Sequence, residues 1–322
     1  MITIYSYNIV EGILENPPVE RLPELLDVEH TDLWVDMESP TPGEAGILRD
    51  VFNFHELAIE DCTQADIEEP KLDDYEDYLF LVLHSFIFNP ENLEFEINEL
   101  DLFFGQNYVV TYHKNPAVGI RQLKERLKHT IDFMSKGTDE ILHAIVDSLV
   151  DNYVVSFRHL ERIIYRTDAE ILTNPSKKAL SDLFKLKIGL IYLNGIMTPG
   201  EEVMQDLGEK EHMLIQEENK IYFQDVHDHI SKIQGLLQSY TEMVTSTMYT
   251  YTSLTTYRMN RVIQILTVMA TAALIPTLIS SIYGMNLRLP FQESPHGFAI
   301  VMLITFTITV SILMYFKIKD WF

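Results

Sequence analysis

Hydrophobic residues change their spacing twice along this chain of 322 residues. Up to about residue 115 they form short blocks rich in aromatic and β-branched residues, and Asn, Gly or Pro separates most of these blocks. From Pro116 onward they recur every three or four residues, which is typical of amphipathic helices. Near the C-terminus, two long runs carry no charge. The pattern therefore predicts strands, then helices, then a pair of membrane spans.

The first region, residues 1–115, is predicted to be an α/β domain. Short helices are expected between its strands, for example over residues 42–52. The predicted fold class is thus an α+β membrane protein whose N-terminal α/β domain lies in the cytoplasm. The strand candidates are residues 1–7, 32–37, 78–88, 93–105 and 108–113.

The second region, residues 116–216, is predicted to be helical and to contain two interruptions. Asn174-Pro175 ends one helical pattern, and Thr198-Pro199-Gly200 ends the next. A separate helix is therefore expected over residues 176–197.

Residues 217–283 differ from this region because they contain no proline before Pro276. They predict one long stalk helix that continues into the first membrane span, about 100 Å in length at 1.5 Å per residue. Its apolar residues follow steps of three and four, at Ile230, Ile233, Leu237, Tyr240, Val244, Met248, Tyr251 and Leu254.

The two uncharged runs are residues 262–283 and 297–316. Each has the roughly 20 apolar residues that a helix needs to cross a bilayer. Their connection, residues 284–296, is short, so both outer ends lie on the same side. Positive charges flank those ends, and the positive-inside rule places both termini in the cytoplasm of a multi-pass cell-membrane protein. The flanking charges are Arg258, Arg261, Lys317 and Lys319, the last two in a basic tail over residues 317–322.

The net charge and the cysteine count exclude several classes of function. The chain has 48 acidic and 24 basic residues, a formal net charge of −24. It lacks the basic balance that neutralises phosphates, so a nucleic-acid partner is excluded. Its one cysteine, Cys62, excludes an intrachain disulfide and a multi-cysteine zinc site. An acidic surface of this kind is either simply solvated or concentrates divalent cations near the protein.

Two spans cannot enclose a pore by themselves. If the chain conducts ions, several copies of the long helix must surround a common axis. The face that lines such a pore steps by three or four residues, and which face this is becomes fixed only if Asn260 and Asn286 point to the axis; otherwise these residues face lipid or pack against other helices. On that condition the pore-lining candidates are Asn260, Ile263, Leu266, Ala270, Leu274, Thr277 and Ser281.

A short motif, Tyr283-Gly284-Met285-Asn286, stands where the first span ends. Together with the two C-terminal spans it resembles the CorA family of magnesium channels, whose signature at this place is YGMN. Further segments are similar to family segments in the same order: HELAIED at residues 55–61, LVDNY at 149–153, YFQDVHDH at 222–229 and KIKDWF at 317–322.

The resemblance implies a funnel-shaped homopentamer in the lipid bilayer, with the first span lining the pore and the second forming an outer ring. It implies influx of Mg²⁺, with Co²⁺ and Ni²⁺ as secondary ions, and no organic cofactor. The selectivity filter is then Tyr283, Gly284, Met285 and Asn286, in which a ring of Asn286 amides receives a hydrated ion. The family also places a hydrophobic constriction at positions matching Ile263, Leu266 and Leu274.

Regulation is the second element that the resemblance implies. Intracellular Mg²⁺ is expected to bind between neighbouring subunits through Asp61 and Asp225. Glu60 and Asp228 lie close to them in sequence and are further candidates.

Two other functions stay open on the sequence alone. A zinc transporter of the related ZntB branch is one, although such relatives usually change the GMN residues that this chain keeps. A membrane-anchored sensor that does not conduct is the other. An enzyme is not expected, since the chain has no glycine-rich phosphate loop, nucleophile elbow or HExxH motif.

Overall fold

The computed structural model describes residues 1–64, 66–130 and 133–321. Phe322, the last residue of the predicted basic tail, lies outside the described residues. The chain divides into two compact units. One comprises Met1–Glu170 and Ser176–Thr247, and the other comprises Ile171–Pro175 and Met248–Phe322.

The first unit contains a seven-stranded sheet with the order β2-β1-β3-β7-β6-β5-β4. Its pairs are antiparallel except for β3 and β7, which run parallel. All five predicted strands are confirmed. The four-residue edge strands β2 and β4 were not predicted, because GILE and KLDD are too short to show an alternating pattern. The strands are β1 (Ile2–Asn8), β2 (Gly12–Glu15), β3 (Thr31–Glu38), β4 (Lys71–Asp74), β5 (Tyr78–Asn89), β6 (Glu94–Gly105) and β7 (Tyr108–His113).

One face of the sheet carries a hydrophobic core. Phe54 stacks on Phe103 with ring centroids 4.0 Å apart, and Ala58 and Cys62 pack into the same cluster. Four short helices cover this face: α1 (Leu22–Leu26), α2 (Pro42–Ala45), α3 (Ile47–Asp50) and α4 (Glu56–Thr63). The single helix expected over residues 42–52 is therefore two helices, which meet at Gly46.

Three further helices complete most of this unit: α5 (Val118–Leu127), α6 (Thr138–Thr173) and α7 (Lys177–Glu209). Helix α6 is tied to β5, because the Tyr153 hydroxyl donates to the His84 carbonyl oxygen. Helix α7 lies so close to the β5–β6 hairpin that a Cβ at Gly189 would fall 2.7 Å from the Phe95 ring. Only glycine fits there without displacing Phe95.

The predicted interruption at Asn174-Pro175 is confirmed, since α6 ends at Thr173 and the Ser176 hydroxyl caps α7 by accepting from the Ala179 amide. The interruption predicted at Thr198-Pro199-Gly200 is wrong, because α7 continues through Pro199 to Glu209. A proline there removes one hydrogen bond, the one to the carbonyl of Gly195 four positions earlier. Beyond the proline, the residues that keep the helix in place by burial are Val203, Met204 and Leu207.

The predicted long helix is confirmed: α8 runs without interruption over the 64 residues Lys220–Tyr283. Its apolar seam is buried over the part that lies in the first unit, at Ile230, Ile233, Leu237, Tyr240 and Val244. The last helix, α9 (Gly297–Ile318), follows a connection close to the expected one.

Helices α8 and α9 are each long and apolar enough to cross a membrane. Within the single chain, only 6% of the spanning window of α8 and 11% of that of α9 are buried. A soluble core helix would be mostly covered, so these two helices expose their apolar side chains to lipid or to other chains.

Candidate functional site

The YGMN motif forms the end of α8 and the start of the connection to α9. Gly284 keeps a helical hydrogen bond, since its amide donates to the Ser280 carbonyl at 2.9 Å. The Tyr283 hydroxyl donates to the Pro290 carbonyl at 3.0 Å and so fastens the connection to the helix end. Asn286 is exposed. Its amide can offer both a hydrogen-bond donor and an acceptor to a hydrated ion.

All seven pore-lining candidates on α8 are exposed in the single chain, from Asn260 to Ser281. Between them, Val268 is buried and marks a different face of the helix. Exposure alone does not single out this stripe, because Val262, Met269 and Leu278 are exposed as well.

Thr277 carries a hydroxyl on the predicted stripe, and that hydroxyl donates to the Ala273 carbonyl at 2.7 Å. Because this donor is satisfied within the helix, the side chain adds little polarity to the apolar residues around it.

Asp61 lies on α4, which is fixed by its buried residues Ala58, Ile59 and Cys62 and by a cap in which the His55 ring accepts from the Leu57 amide. The Asp61 carboxylate accepts from Lys71 Nζ at 2.7 Å. Its neighbour Glu60 is exposed.

Asp225 and Asp228 lie near the start of α8, and their side chains are 69% and 70% exposed. Each is accompanied by a histidine: His229 Nε2 is 3.9 Å from Asp225, and His227 Nδ1 is 3.8 Å from Asp228. Because both carboxylates are largely exposed, each can bind a hard cation such as Mg²⁺ from solvent.

A carboxylate that the sequence did not single out, Asp147 on α6, interacts with Asp225. Burial, followed by the charge of Asp151, raises the pKa of Asp147, and Asp225 adds to the shift. The helical spacing of α6 shows which face Asp147 occupies, but which helix meets that face depends on tertiary packing.

The four predicted carboxylates do not form a complete metal site within one chain. Over residues 1–64, 66–130 and 133–321, the one group of three close ligands consists of Asp36, Glu38 and His113. In that group Asp36 already has three partners: it accepts from the Thr111 hydroxyl at 2.5 Å, faces His113 Nε2 at 3.1 Å and pairs with Lys124. These contacts neutralise the buried carboxylate without a metal ion.

Cys62, the one cysteine of the chain, is a buried free thiol. Its sulfur donates to the Ala58 carbonyl, and burial raises the pKa of the thiol well above its ordinary value. Since metals and oxidants react with the thiolate, this side chain is chemically inert in the folded state.

Comparison with known proteins places these features in context. A family model described as "CorA-like Mg2+ transporter protein" matches residues 31–319. A Bacillus subtilis protein named "Putative metal ion transporter YfjQ" is 32% identical over 326 residues, which cover 100% of this chain and 99% of that protein. The cobalt/magnesium transport protein CorA of Thermotoga maritima is 29% identical over 272 residues, 84% of this chain and 77% of the relative.

The same likeness is seen among solved structures. The complete structure of the CorA magnesium transporter from Methanocaldococcus jannaschii superposes with a TM-score of 0.86 at 20% identity, and the match covers 100% of this chain and 99% of that one. At this identity the superposition establishes a shared fold.

Proposed function

The chain belongs to the CorA-like Mg²⁺ transporter family, and on that premise we propose that it is a channel for Mg²⁺ influx, with Co²⁺ and Ni²⁺ as secondary ions. The family match over residues 31–319 is the observation that carries this proposal. The Thermotoga maritima relative is named a cobalt/magnesium transport protein, which supports the choice of ions.

The conducting form is a homopentamer with both termini in the cytoplasm. Support comes from the apolar windows of α8 and α9, which a single chain leaves almost uncovered. Neighbouring copies cover part of that surface, since transmembrane helices associate by close packing rather than by exclusion of water. The orientation follows from the basic residues that flank the two spans.

Ion selection takes place at the ring of Asn286 amides. Mg²⁺ is small and gives up its water shell reluctantly, so a neutral ring that hydrogen-bonds to the shell admits the hydrated ion. A ring of carboxylates would hold the ion too tightly for release, because conduction needs weak binding as well as entry. Support comes from the hydrogen bonds of Gly284 to Ser280 and of Tyr283 to Pro290, which hold the segment that carries Asn286.

The gate lies below the filter, at Ile263, Leu266 and Leu274. All three side chains are apolar and more than half exposed in the single chain. Five copies facing one axis form a narrow apolar passage, from which water withdraws when the ring is tight.

Regulation depends on Asp61 and Asp225, with Glu60 and Asp228 as neighbours. Their donor set consists of carboxylate oxygens, which are the ligands that Mg²⁺ takes in proteins, so the residues fit the ion. The ion supplies positive charge between two subunits. Without it, the carboxylates of adjacent acidic domains repel one another and the ring loosens.

Zinc transport by a ZntB-like mechanism is the weaker alternative. This chain keeps Gly284-Met285-Asn286, and Cys62 is buried and unavailable as a zinc ligand. Uptake of Zn²⁺ that exceeds uptake of Mg²⁺, and that depends on a proton gradient, would favour this alternative.

Uptake by reconstituted protein tests the proposal and separates a channel from a sensor. Proteoliposomes with the wild-type chain are expected to take up Mg²⁺ down its gradient. Asn286→Ala should reduce the uptake rate at least about 10-fold, which corresponds to roughly 1.4 kcal/mol of lost stabilisation. Asn194→Ala removes an exposed amide on α7 and serves as the matched control, with uptake unchanged. Equal uptake by both variants would contradict the role of Asn286.

A further inference from the structure

One ammonium group is shared by two carboxylates beside the candidate regulatory site. Lys71 Nζ lies 2.7 Å from Asp61 Oδ2 and 3.1 Å from Asp73 Oδ2. Lys71 and Asp73 belong to the edge strand β4, whereas Asp61 belongs to α4. The lysine therefore links two elements through the very carboxylate that the proposed function assigns to Mg²⁺.

The backbone explains why the ammonium has two partners. Lys71 and Asp73 are two residues apart on a strand, so their side chains lie on the same face. Phe80, which pairs with Asp73 across the two strands, presents its ring 5.7 Å from Lys71 Nζ. The Lys71 ammonium thus lies over the Phe80 ring and between Asp61 and Asp73.

A cation that binds Asp61 through the oxygen facing Lys71 must first displace this ammonium. Displacement leaves Lys71 paired, because Asp73 stays within reach on the same strand. The exchange therefore trades one of two partners of the lysine for a divalent ion and leaves no buried charge without a counter-charge.

We propose that Lys71 is a tethered competitor of Mg²⁺ at Asp61, and that its ammonium pairs with Asp73 alone when Mg²⁺ binds. This inference rests on the proposed regulatory role of Asp61. The relative strength of the Lys71–Asp61 and Lys71–Asp73 ion pairs sets the Mg²⁺ concentration at which the site fills. A lysine held more firmly on Asp61 raises that concentration, and a lysine removed from it lowers it.

The experiment measures protection of the full-length protein in detergent against chymotrypsin over a series of Mg²⁺ concentrations. Chymotrypsin is chosen because substitution of lysine leaves its cleavage sites intact. Lys71→Gln is expected to lower the Mg²⁺ midpoint about fivefold, since partly exposed ion pairs are of modest strength. Asp73→Asn is expected to raise the midpoint, because the ammonium loses its alternative partner and pairs more firmly with Asp61.

Three further variants separate this role from simple bracing of the strand. Lys71→Arg keeps the charge and should keep the midpoint near that of the wild type. Asp73→Asn in the Lys71→Gln background should have a smaller effect than alone, which is the coupling that a double-mutant cycle detects. Lys128→Gln removes an ion-paired lysine at the C-terminal cap of α5, 2.6 Å from Glu125, and should leave the midpoint unchanged.

Asp61→Asn distinguishes the two ways in which the reasoning could fail. If Asp61→Asn abolishes the response to Mg²⁺ while Lys71→Gln leaves the midpoint unchanged, the competitor role is overturned and the regulatory site stands. If Asp61→Asn itself leaves the response unchanged, the regulatory site fails. If Lys71→Gln does not fold, Asp73→Asn still decides the matter: a raised midpoint supports the competitor role, and an unchanged or lowered midpoint overturns it.

Discussion

Single side chains in this protein are held in charge states that follow from burial and from their neighbours. Asp32, at the edge of an acidic pocket with Glu76, Asp77 and Asp139, is the clearest case outside the candidate site. Burial, followed by the charge of Asp139, raises the pKa of Asp32 to about 6. The folded state therefore binds a proton more tightly than the unfolded state does.

A pH dependence follows from this shift. Between about pH 4 and pH 6 the folded state holds more protons at Asp32, so its contribution to stability falls as the pH rises through this range. Asp32→Asn should remove that loss and raise the melting temperature at pH 7.5 by about 2–4 °C. The two proteins should converge below pH 4. Calorimetric melts of both across the pH range check this, with Asp27→Asn, an exposed residue, as the control that should change nothing.

Individual residues also show which parts of the candidate site could not be predicted from the sequence. The candidate carboxylates could be named from motifs, because Asp61 and Asp225 each stand in a recognisable local segment. The partner of Asp61 could not, since Lys71 is ten residues away and meets it only because α4 docks beside an edge strand that itself escaped prediction. Charge patterns show what is present, and tertiary packing decides which charges meet.

At the scale of elements, the fit between α7 and the β5–β6 hairpin depends on one missing side chain. A Cβ at Gly189 would clash with the Phe95 ring, whereas a Cβ at Gly195, on the same helix, would meet nothing within 4 Å. Gly189→Ala should therefore destabilise the protein by about 1–3 kcal/mol through overpacking. Gly195→Ala should stabilise it by about 0.5–1 kcal/mol, because alanine favours the helix.

Urea unfolding of the two variants against the wild type checks this pair of predictions. Opposite signs are expected from the same chemical change on one helix. A stabilising Gly189→Ala would mean that Phe95 moves aside without cost, and that the close approach of helix and hairpin does not constrain the packing.

Elements were predicted well where burial imposes a period. Strands β5 and β6 show continuous apolar and aromatic residues, and the seam of α8 repeats by three and four, so both were visible in the sequence. The helix end predicted at Pro199 was wrong because the burial of Val203, Met204 and Leu207 beyond it outweighs the helix-breaking effect of the proline. Local propensity is informative only until packing opposes it.

At the scale of the whole molecule, acidity is unevenly placed. Residues 262–322 carry three basic and two acidic residues, so all of the excess negative charge belongs to the part proposed to be cytoplasmic. In the proposed regulation, Mg²⁺ that neutralises exposed carboxylates such as Asp225 acts against the repulsion between copies. The charge of the domain and its response to the ion would then be parts of one mechanism.

Asp225→Asn tests this mechanism on the helix that connects the proposed regulatory and conducting parts. Removing an exposed ligand should raise the Mg²⁺ midpoint for protection from chymotrypsin about 10-fold, or roughly 1.4 kcal/mol. Glu218→Gln, the same change from carboxylate to amide at an exposed position seven residues earlier, is the matched control. Equal midpoints in the two variants would speak against Asp225 as a ligand.

The uncovered flank of α8 has a genetic consequence. Two spanning helices of one chain, left mostly uncovered, do not enclose a pore. In the proposed oligomer, every pore is therefore assembled from separately translated copies of the chain. A mutant allele then affects a cell that also carries the wild-type allele, because nearly every mixed oligomer contains at least one mutant subunit. Dominance, rather than simple loss, is the inheritance pattern that this architecture favours.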